Sequence, residues 1–438
     1  MRNDTPQMSF FMQSAGGRVE FDYYSFVDFF LNQNRYVSLS LERYFHYLPE
    51  KGIWMEEEIE EIICDMGKFL NQYSPRTYRA KHDKDLKAVF NNMVERVENM
   101  NPNSDLLCLS NGVVSLKEGG LRNFSADYYL TTRLEHEYDM QATCPKFQKF
   151  LQQICCKNAS RVQTIEEIMG YCLTRDISAQ VLFYFYGNGR NGKSCLMNVI
   201  QAMMGETNYV ITTPAELQEG FGRGMLRDKR IIFISDLNPK ERARLLSAEV
   251  KKIVGGDTLS GDSKYKQRFQ FKPCGKIIVS SNFEMSFSED RTNGGVRRFH
   301  IIPFEYTVSK DKVNVNLEKE LTAEMSGILN LALKGYRRLV RNNYKFSNQL
   351  ESETLKRKLL KEDVSFERFT EERMIYAEYS FVSYQVIKES YHVWCKKNGV
   401  DEVSIPDSKE IGRIIKRRYG AIASKRNSLR GLKGIRIK

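Results

Sequence analysis

In 438 residues the sequence holds two tryptophans, five histidines and ten prolines, and its nine cysteines form no C-x-x-C pair. Without such pairs beside histidines, zinc-finger and thioredoxin-like chemistries are excluded, and the thiols are expected to be ordinary buried cysteines of a reducing cytoplasm. No apolar run approaches the roughly 18 residues needed to span a bilayer, and no signal-peptide pattern opens the sequence, so no membrane partner is expected. Internal repeats and low-complexity tracts are also missing. Acidic residues are scarce at one end: from Lys409 to Lys438 only Glu410 opposes eleven Lys/Arg, so that segment carries +10 of a net +12. Such a basic end points to nucleic acid. Apolar residues from Ile411 to Ile437 punctuate the charges, a spacing that a solvated tail would lack.

The length suits two to four domains, and four zones separate. Residues 1–165 combine aromatic-rich helical stretches such as FDYYSFVDFFL with a short strand-like segment, LLCLSNGVVSL, in which Asn111-Gly112 signals a hairpin. The aromatics at helical spacing are expected in a core. Residues 166–310 alternate apolar strand-like runs with helical ones, as an α/β domain with a central parallel sheet does. Residues 311–364 are charged and helically periodic, a helical lid or linker. Residues 365–438 give short helices and end in SLRGLKGIRIK, a candidate β-ribbon.

Residues 181–205, VLFYFYGNGRNGKSCLMNVIQAMMG, carry the main signal. A β-rich run enters Gly187, and Gly192-Lys193-Ser194 opens a helix that should stop at Gly205. This is the GxxxxGK[ST] phosphate loop in its strand–loop–helix context. Its backbone N–H groups, spanning Gly187, Asn188, Gly189, Arg190, Asn191, Gly192, Lys193, Ser194 and Cys195, would converge on phosphate oxygens at a helix N-terminus. Lys193 would reach the outer phosphates and Ser194 would ligate Mg²⁺. Forty-three residues after Lys193, RIIFISD ends in Asp236, placed to hold the Mg²⁺ shell. KIIVSSN ends in Asn282, whose amide could orient an attacking water; a strand-end cap would look the same. Sixteen residues further on, VRRFHIIPF places Arg297 and Arg298 before an apolar strand, where two charges need a negative partner.

Between these elements lies GGDTLSGDSKYKQRFQF, with turn signals at Gly255-Gly256 and Gly261-Asp262. Lys264, Tyr265, Lys266 and Arg268 would form a hairpin able to grip a single strand through phosphates and stacking. A surface hairpin whose lysines block edge pairing would have the same composition.

With these motifs in order, the chain resembles the superfamily-three helicases within the AAA+ ATPases, and is most similar to the phage, plasmid and poxvirus-type primase–helicases. The resemblance covers about residues 20–438. It implies a multidomain protein: a helical N-terminal domain for oligomerisation or DNA entry, an AAA+ ATPase core, a helical lid, and a basic winged helix. In that family Lys193 and Ser194 match the Walker A pair, Asp236 the Walker B acid, Asn282 sensor 1, and Arg298, with Arg297, the arginine finger. Asp236 departs from the family's usual Glu, and residues 1–165 are too short to hold a recognisable primase catalytic domain. The implied activity is ATP- and Mg²⁺-dependent unwinding with 3′→5′ polarity. The implied assembly is a homo-hexamer threaded by single-stranded DNA and working beside a primase or polymerase. The setting would be a bacterial cytoplasm or viral replication site. In the winged helix, Arg417, Arg418, Lys425 and Arg426 are the expected DNA contacts. Two other readings stay open: an initiator whose winged helix binds a duplex origin, and a non-motor phosphate-loop switch or kinase.

Overall fold

The computed structural model describes residues 10–13, 19–40, 43–73, 78–235, 237, 241–263, 268–285, 293–308, 314–398 and 407–438. The N-terminal zone is built on strands as much as on helices. β1 (Phe11–Gln13) pairs antiparallel with β2 (Val19–Phe21). β3 (Tyr36–Ser40), β4 (Arg43–Leu48), β5 (Ile53–Glu57) and β6 (Glu95–Arg96) form a sheet in the order β5-β4-β3-β6. Helices Tyr23–Gln33, Ile59–Tyr73 and Asp83–Met93 bury Phe26, Phe30, Met66, Leu70 and Phe90 in one cluster, so the FDYYSFVDFF aromatics are core except Tyr24, which is exposed. The mostly helical expectation for residues 1–165 is therefore corrected to mixed α/β. RYFHYL and IWMEE are rich in aromatic and β-branched residues that suit a pleated surface. They are joined by a turn in which Lys51 and Gly52 donate to the Leu48 carbonyl and Gly52 takes φ +68°. β7 (Leu106–Leu109), β8 (Gly112–Ser115) and β9 (Gly119–Arg122) form an antiparallel meander. Its first turn is Ser110-Asn111, one residue earlier than the Asn-Gly signal, because the Asn111 amide is engaged with the Tyr138 main chain.

The centre is a five-stranded parallel sheet of β10 (Leu182–Tyr186), β11 (Tyr209–Ile211), β12 (Ile231–Ile234), β15 (Lys276–Ser281) and β16 (Phe299–Pro303), in the order β11-β12-β15-β10-β16. Between β12 and β15 the short hairpin of β13 (Leu259–Gly261) and β14 (Phe269–Phe271) projects as its own pair. Both sheet faces are covered, which explains why the strands are near-continuous apolar runs. Side chains alternate between the two cores. Phe183 and Phe185 pack with helices Ala159–Leu173, Lys193–Met204 and Met325–Arg341, whereas Leu182 and Tyr184 pack with helix Ala248–Gly255.

Helix Gln349–Arg373 starts against β16, where the Ser352 hydroxyl accepts from the Ile301 N–H at 2.9 Å, and ends in the C-terminal core with Phe366 and Phe369. It contains no Gly or Pro, so the zone boundary read at residue 364 falls inside one continuous helix. β17 (Met374–Ser383), β18 (Ile422–Arg426) and β19 (Leu429–Ile437) form an antiparallel sheet in the order β17-β19-β18. Helices Tyr384–Lys397 and Ser408–Tyr419 cover one of its faces through Ile387, Tyr391, Trp394, Ile411 and Ile415.

The nine thiols are unpaired, but not all are buried as expected: Cys64 and Cys156 are exposed. Cys64 lies on the outer side of its amphipathic helix, and Cys156 sits in a tight turn at φ +51°. Among the described residues no helix is long and apolar enough to cross a membrane.

Candidate functional site

In this sheet order the connection leaving β10 runs one way to β11, whereas the connection leaving its neighbour β15 crosses β10 the other way to β16. Such a switch point, at the carboxyl ends of parallel strands, is where α/β sheets form ligand crevices. The segment 187–192 leaves β10 there and turns into helix Lys193–Met204, whose first N–H, that of Lys193, donates to Asn191 Oδ1 at 3.4 Å. Two of its three glycines, Gly187 and Gly192, are sterically required, whereas a Cβ on Gly189 would meet nothing within 4 Å. Gly192 takes φ +85°, and a Cβ on it would lie 2.5 Å from Ile154 Cγ2. A Cβ on Gly187 would lie 2.2 Å from the Phe304 carbonyl oxygen. Asn188, Gly189 and Arg190 are exposed, and Arg190 holds φ +62°, uncommon for a residue with a side chain. The loop is tied to the exit of β16: Val308 N–H donates to the Arg190 carbonyl at 2.9 Å, and Asn191 Nδ2 donates to the Phe304 carbonyl at 3.2 Å.

Lys193 is 4% exposed. Its Nζ donates to the Gly187 carbonyl, to Asn191 Oδ1 at 3.2 Å and to Asn282 Oδ1 at 3.4 Å. A buried ammonium is tolerated only with such acceptors around it. Asn282 directly follows β15, the strand beside β10, so neighbouring strand ends bring the two residues together. Asp236 lies outside the described residues. Its neighbour Leu237 donates to the Ser280 carbonyl at 3.3 Å, and its carbonyl accepts from Ser281 Oγ at 3.4 Å. Ser194 is exposed beside Lys193, and burial pushes the Cys195 thiol up to about 11.

A cavity of about 640 Å³ opens against residues 190–195. Phe150 and Ile154 of helix Pro145–Ile154, Leu317 and Leu321 of helix Leu317–Thr322, and Tyr306 and Val308 after β16 form its apolar walls, with Lys146 and Lys149 at its rim. Gln153 Nε2 donates to Tyr306 Oη. Arg161 fixes the segment before Tyr306 by pairing with Glu305 at 2.6 Å and with Glu351 at 2.6 Å. None of these wall residues was singled out from the sequence. They come from three distant segments, and one signal that could have found part of the wall is the apolar spacing of Phe147, Phe150, Leu151 and Ile154.

Arg297 and Arg298 occupy the turn before β16 rather than the strand itself; Arg297 is exposed and Arg298 half-buried. Since β16 runs parallel to β10, with Leu182 opposite Phe299 and Tyr186 opposite Pro303, the arginines stand at the edge opposite the loop. The structure therefore does not bring them to Lys193 of the same chain.

The expected hairpin exists as β13 and β14, but Lys264, Tyr265 and Lys266 lie outside the described residues. Gly261 is a strand residue, not a turn: a Cβ there would lie 2.8 Å from Gly224 Cα, so helix Gly220–Gly224 packs closely beneath it. Gly256, at φ +74°, caps helix Ala248–Gly255. Arg268 pairs with Asp262 at 2.8 Å on the loop side of the last strand pair, Gly261 and Phe269, which lowers the Asp262 carboxyl pKa. Arg227, not foreseen, lies over the Phe269 ring at 5.3 Å and pairs with Glu56 of β5 at 2.7 Å, joining the loop end of the hairpin to the N-terminal sheet.

In the C-terminal unit Arg417 pairs with Glu367 at 2.6 Å, and Arg418 with Glu371 at 2.5 Å. Lys425 and Arg426 are exposed on β18, next to a two-residue turn in which Asn427 and Ser428 both take positive φ.

Two family models match separate parts of the chain: a family described as D5 N terminal like over residues 32–156, and a family of unknown function, DUF5906, over residues 185–298. A protein of Acanthamoeba polyphaga mimivirus named as a helicase, L207/L206, is 25% identical over 217 residues, covering 48% of this chain and 22% of its own length. Primase D5 of fowlpox virus is 28% identical over 171 residues, covering 36% and 21% respectively. The matched region thus spans about a fifth of each relative. The apo A form of the NrS-1 C-terminal region shares the fold, with a TM-score of 0.50 at 12% identity over 94% of this chain and 99% of that one. The chain is a mixed α/β, multidomain relative of viral proteins named for helicase and primase.

Proposed function

We propose that the chain is an ATP-driven DNA helicase of superfamily three, with an AAA+ core, acting in replication of a virus or mobile element. The observation that carries this reading is the approach of Lys193 Nζ to Asn282 Oδ1, at the C-terminal edge of the parallel sheet and beside the 640 Å³ cavity. The viral relatives named for helicase and primase support a replication role.

The residues present fit a nucleoside triphosphate and its metal. Gly187 and Gly192 leave a cradle that a Cβ would fill, Lys193 supplies a held cation, and Ser194 with Asp236 would hold Mg²⁺. Held there, the metal would supply neutralisation of the charge that develops on the transferring phosphate. The N–H groups of residues 187–195 would grip the phosphates at the helix N-terminus. Phe150, Ile154, Tyr306 and Leu317 would enclose the base and exclude water around it. Asn282 would orient the attacking water, and Arg298, with Arg297 beside it, would act on the nucleotide of a neighbouring subunit in a ring. That ring is a hexamer by the family resemblance. The β13–β14 hairpin, through Lys264, Tyr265, Lys266 and Arg268, would draw single-stranded DNA through the pore. The helix–β17–helix–helix–β18–β19 order supports a winged helix at the C-terminus. A primase or polymerase partner and an origin duplex belong to the same reading.

The test replaces Lys193 with Ala and measures ATP hydrolysis with and without single-stranded DNA, together with strand separation. Loss of both activities is expected. Unchanged turnover with unchanged unwinding would overturn the assignment, and hydrolysis indifferent to DNA would favour a non-motor switch.

A further inference from the structure

Among the described residues, helices cover the C-terminal sheet on one face only. Leu432 and Ile435 of β19 point into the core with Ile387, Tyr391 and Ile411. Their neighbours on β19 point the other way, and cross-strand pairing sets out that open face in rows. Arg436 pairs with Ile375, Lys433 lies between Phe381 and Ile422, and Leu429 pairs with Arg426. Ile422 is 67% exposed and Leu429 51% exposed. At the edge, β17 carries a bulge between Ala377 and Phe381, and within it Tyr379 is 84% exposed.

Charge is distributed unequally between this sheet and the helix beneath it. The arginines of helix Ser408–Tyr419 that suggested DNA contact, Arg417 and Arg418, are paired with Glu367 and Glu371. The sheet carries Lys425, Arg426, Arg430, Lys433 and Arg436, with Lys438 directly after it, against one carboxylate, Glu378. Among the described residues, none of these six cations has an acidic partner, and all six are exposed.

We propose that the open face of the β17-β19-β18 sheet binds single-stranded nucleic acid, with Lys433, Arg436 and Arg426 on phosphates and Tyr379 stacking a base. Charge complementarity selects a polyanion. The apolar residues interleaved with the cations select one whose bases are unstacked: a flat sheet carrying exposed apolar and aromatic groups accepts splayed bases. A duplex hides those surfaces and is read by an element that enters a groove. This face is distinct from the hairpin at residues 259–271, and its occupancy does not depend on the ATPase reading.

The experiment follows binding of a fluorescent oligo(dT) to the full chain, without nucleotide, across a salt titration. Tyr379→Ala should weaken binding about tenfold. The double change Lys433→Ala/Arg436→Ala should flatten the salt slope by about 1.4, two single-strand phosphate contacts at about 0.7 each. Both sets of residues are exposed, so the fold should persist, and Arg417→Ala/Arg418→Ala should leave affinity unchanged. Lys264→Ala/Lys266→Ala tests the hairpin separately through unwinding, so failure of one proposal is distinguishable from failure of the other. The proposal is overturned if the sheet variants leave oligo(dT) affinity and slope unchanged. It is also overturned if they weaken a duplex of equal length as much, or if polyglutamate competes as well as DNA, which would assign the face to an acidic protein.

Discussion

The main-chain N–H of Leu182 donates to the carbonyl of Arg298 at 2.7 Å, and this bond fixes the arginine pair at the opposite edge of the sheet from Lys193. Strands β10 and β16 run parallel for five residues, about 16 Å at 3.3 Å per residue, so Arg298 precedes the sheet and the loop follows it. If Arg298 completes a nucleotide site, that site belongs to another subunit. Arg298→Ala should lower ATP hydrolysis by on the order of 10³-fold. Mixing Arg298→Ala with Lys193→Ala subunits should restore part of it, because one interface then carries an intact lysine and an intact arginine. Mixed rings that remain inactive, with co-assembly verified by differential tagging, would sink the shared-site reading.

The loop glycines set a second expectation. At φ +85°, with Ile154 Cγ2 only 2.5 Å from where a Cβ would stand, Gly192 has no room for alanine. Gly192→Ala should lower stability by on the order of 1–3 kcal/mol and abolish nucleotide binding, because helix Pro145–Ile154 must be pushed from the loop. Thermal melts and titration with a fluorescent ATP analogue check both halves. Normal affinity in a folded variant would show that the loop backbone tolerates the shift.

Tyr306 tests the cavity. It bonds to Gln153 and lines the walls, whereas Lys193 bonds to Gly187, Asn191 and Asn282. Its contribution should therefore be equal in ground and transition states, which raises KM and leaves kcat alone. Tyr306→Ala should raise the KM for ATP about fivefold, close to the worth of one net hydrogen bond plus packing. A fall in kcat at unchanged KM would instead tie Tyr306 to the chemistry.

The parts of this protein legible in its sequence are those in which one local pattern carries the structure. VLFYFYG, RIIFIS and KIIVSS are buried on both faces, so unbroken apolar runs mark them as parallel strands, and their order along the chain puts Lys193 beside Asn282. The N-terminal strands were missed because RYFHYL and IWMEE mix charge into short aromatic runs, and FDYYSFVDFF drew attention to helix. The cavity was missed because Phe150, Tyr306 and Leu317 meet only through tertiary packing. The charges of Arg417 and Arg418 looked available because their partners, Glu367 and Glu371, lie about fifty residues away on another helix.

His300 supplies the pH-dependent expectation. Within β16 it is 1% exposed, and its Nε2 donates to Asn348 Oδ1 at 2.6 Å, an oxygen that also accepts from Thr164 Oγ1 at 2.9 Å. Burial holds the imidazole pKa down to about 4, outweighing the Asn348 bond that pulls it up. In the unfolded chain it titrates near 6.5. Between these values the unfolded state binds a proton that the folded state does not, so stability falls as pH drops from 6.5 towards 4 and is fully present above 6.5. The separation is worth about 3 kcal/mol. Denaturant unfolding at pH 7.5 and pH 4.5 should show this loss in the wild type and much less of it in His300→Gln, which keeps a donor for Asn348. An equal loss in both proteins would assign acid sensitivity to other groups and remove His300 from the account.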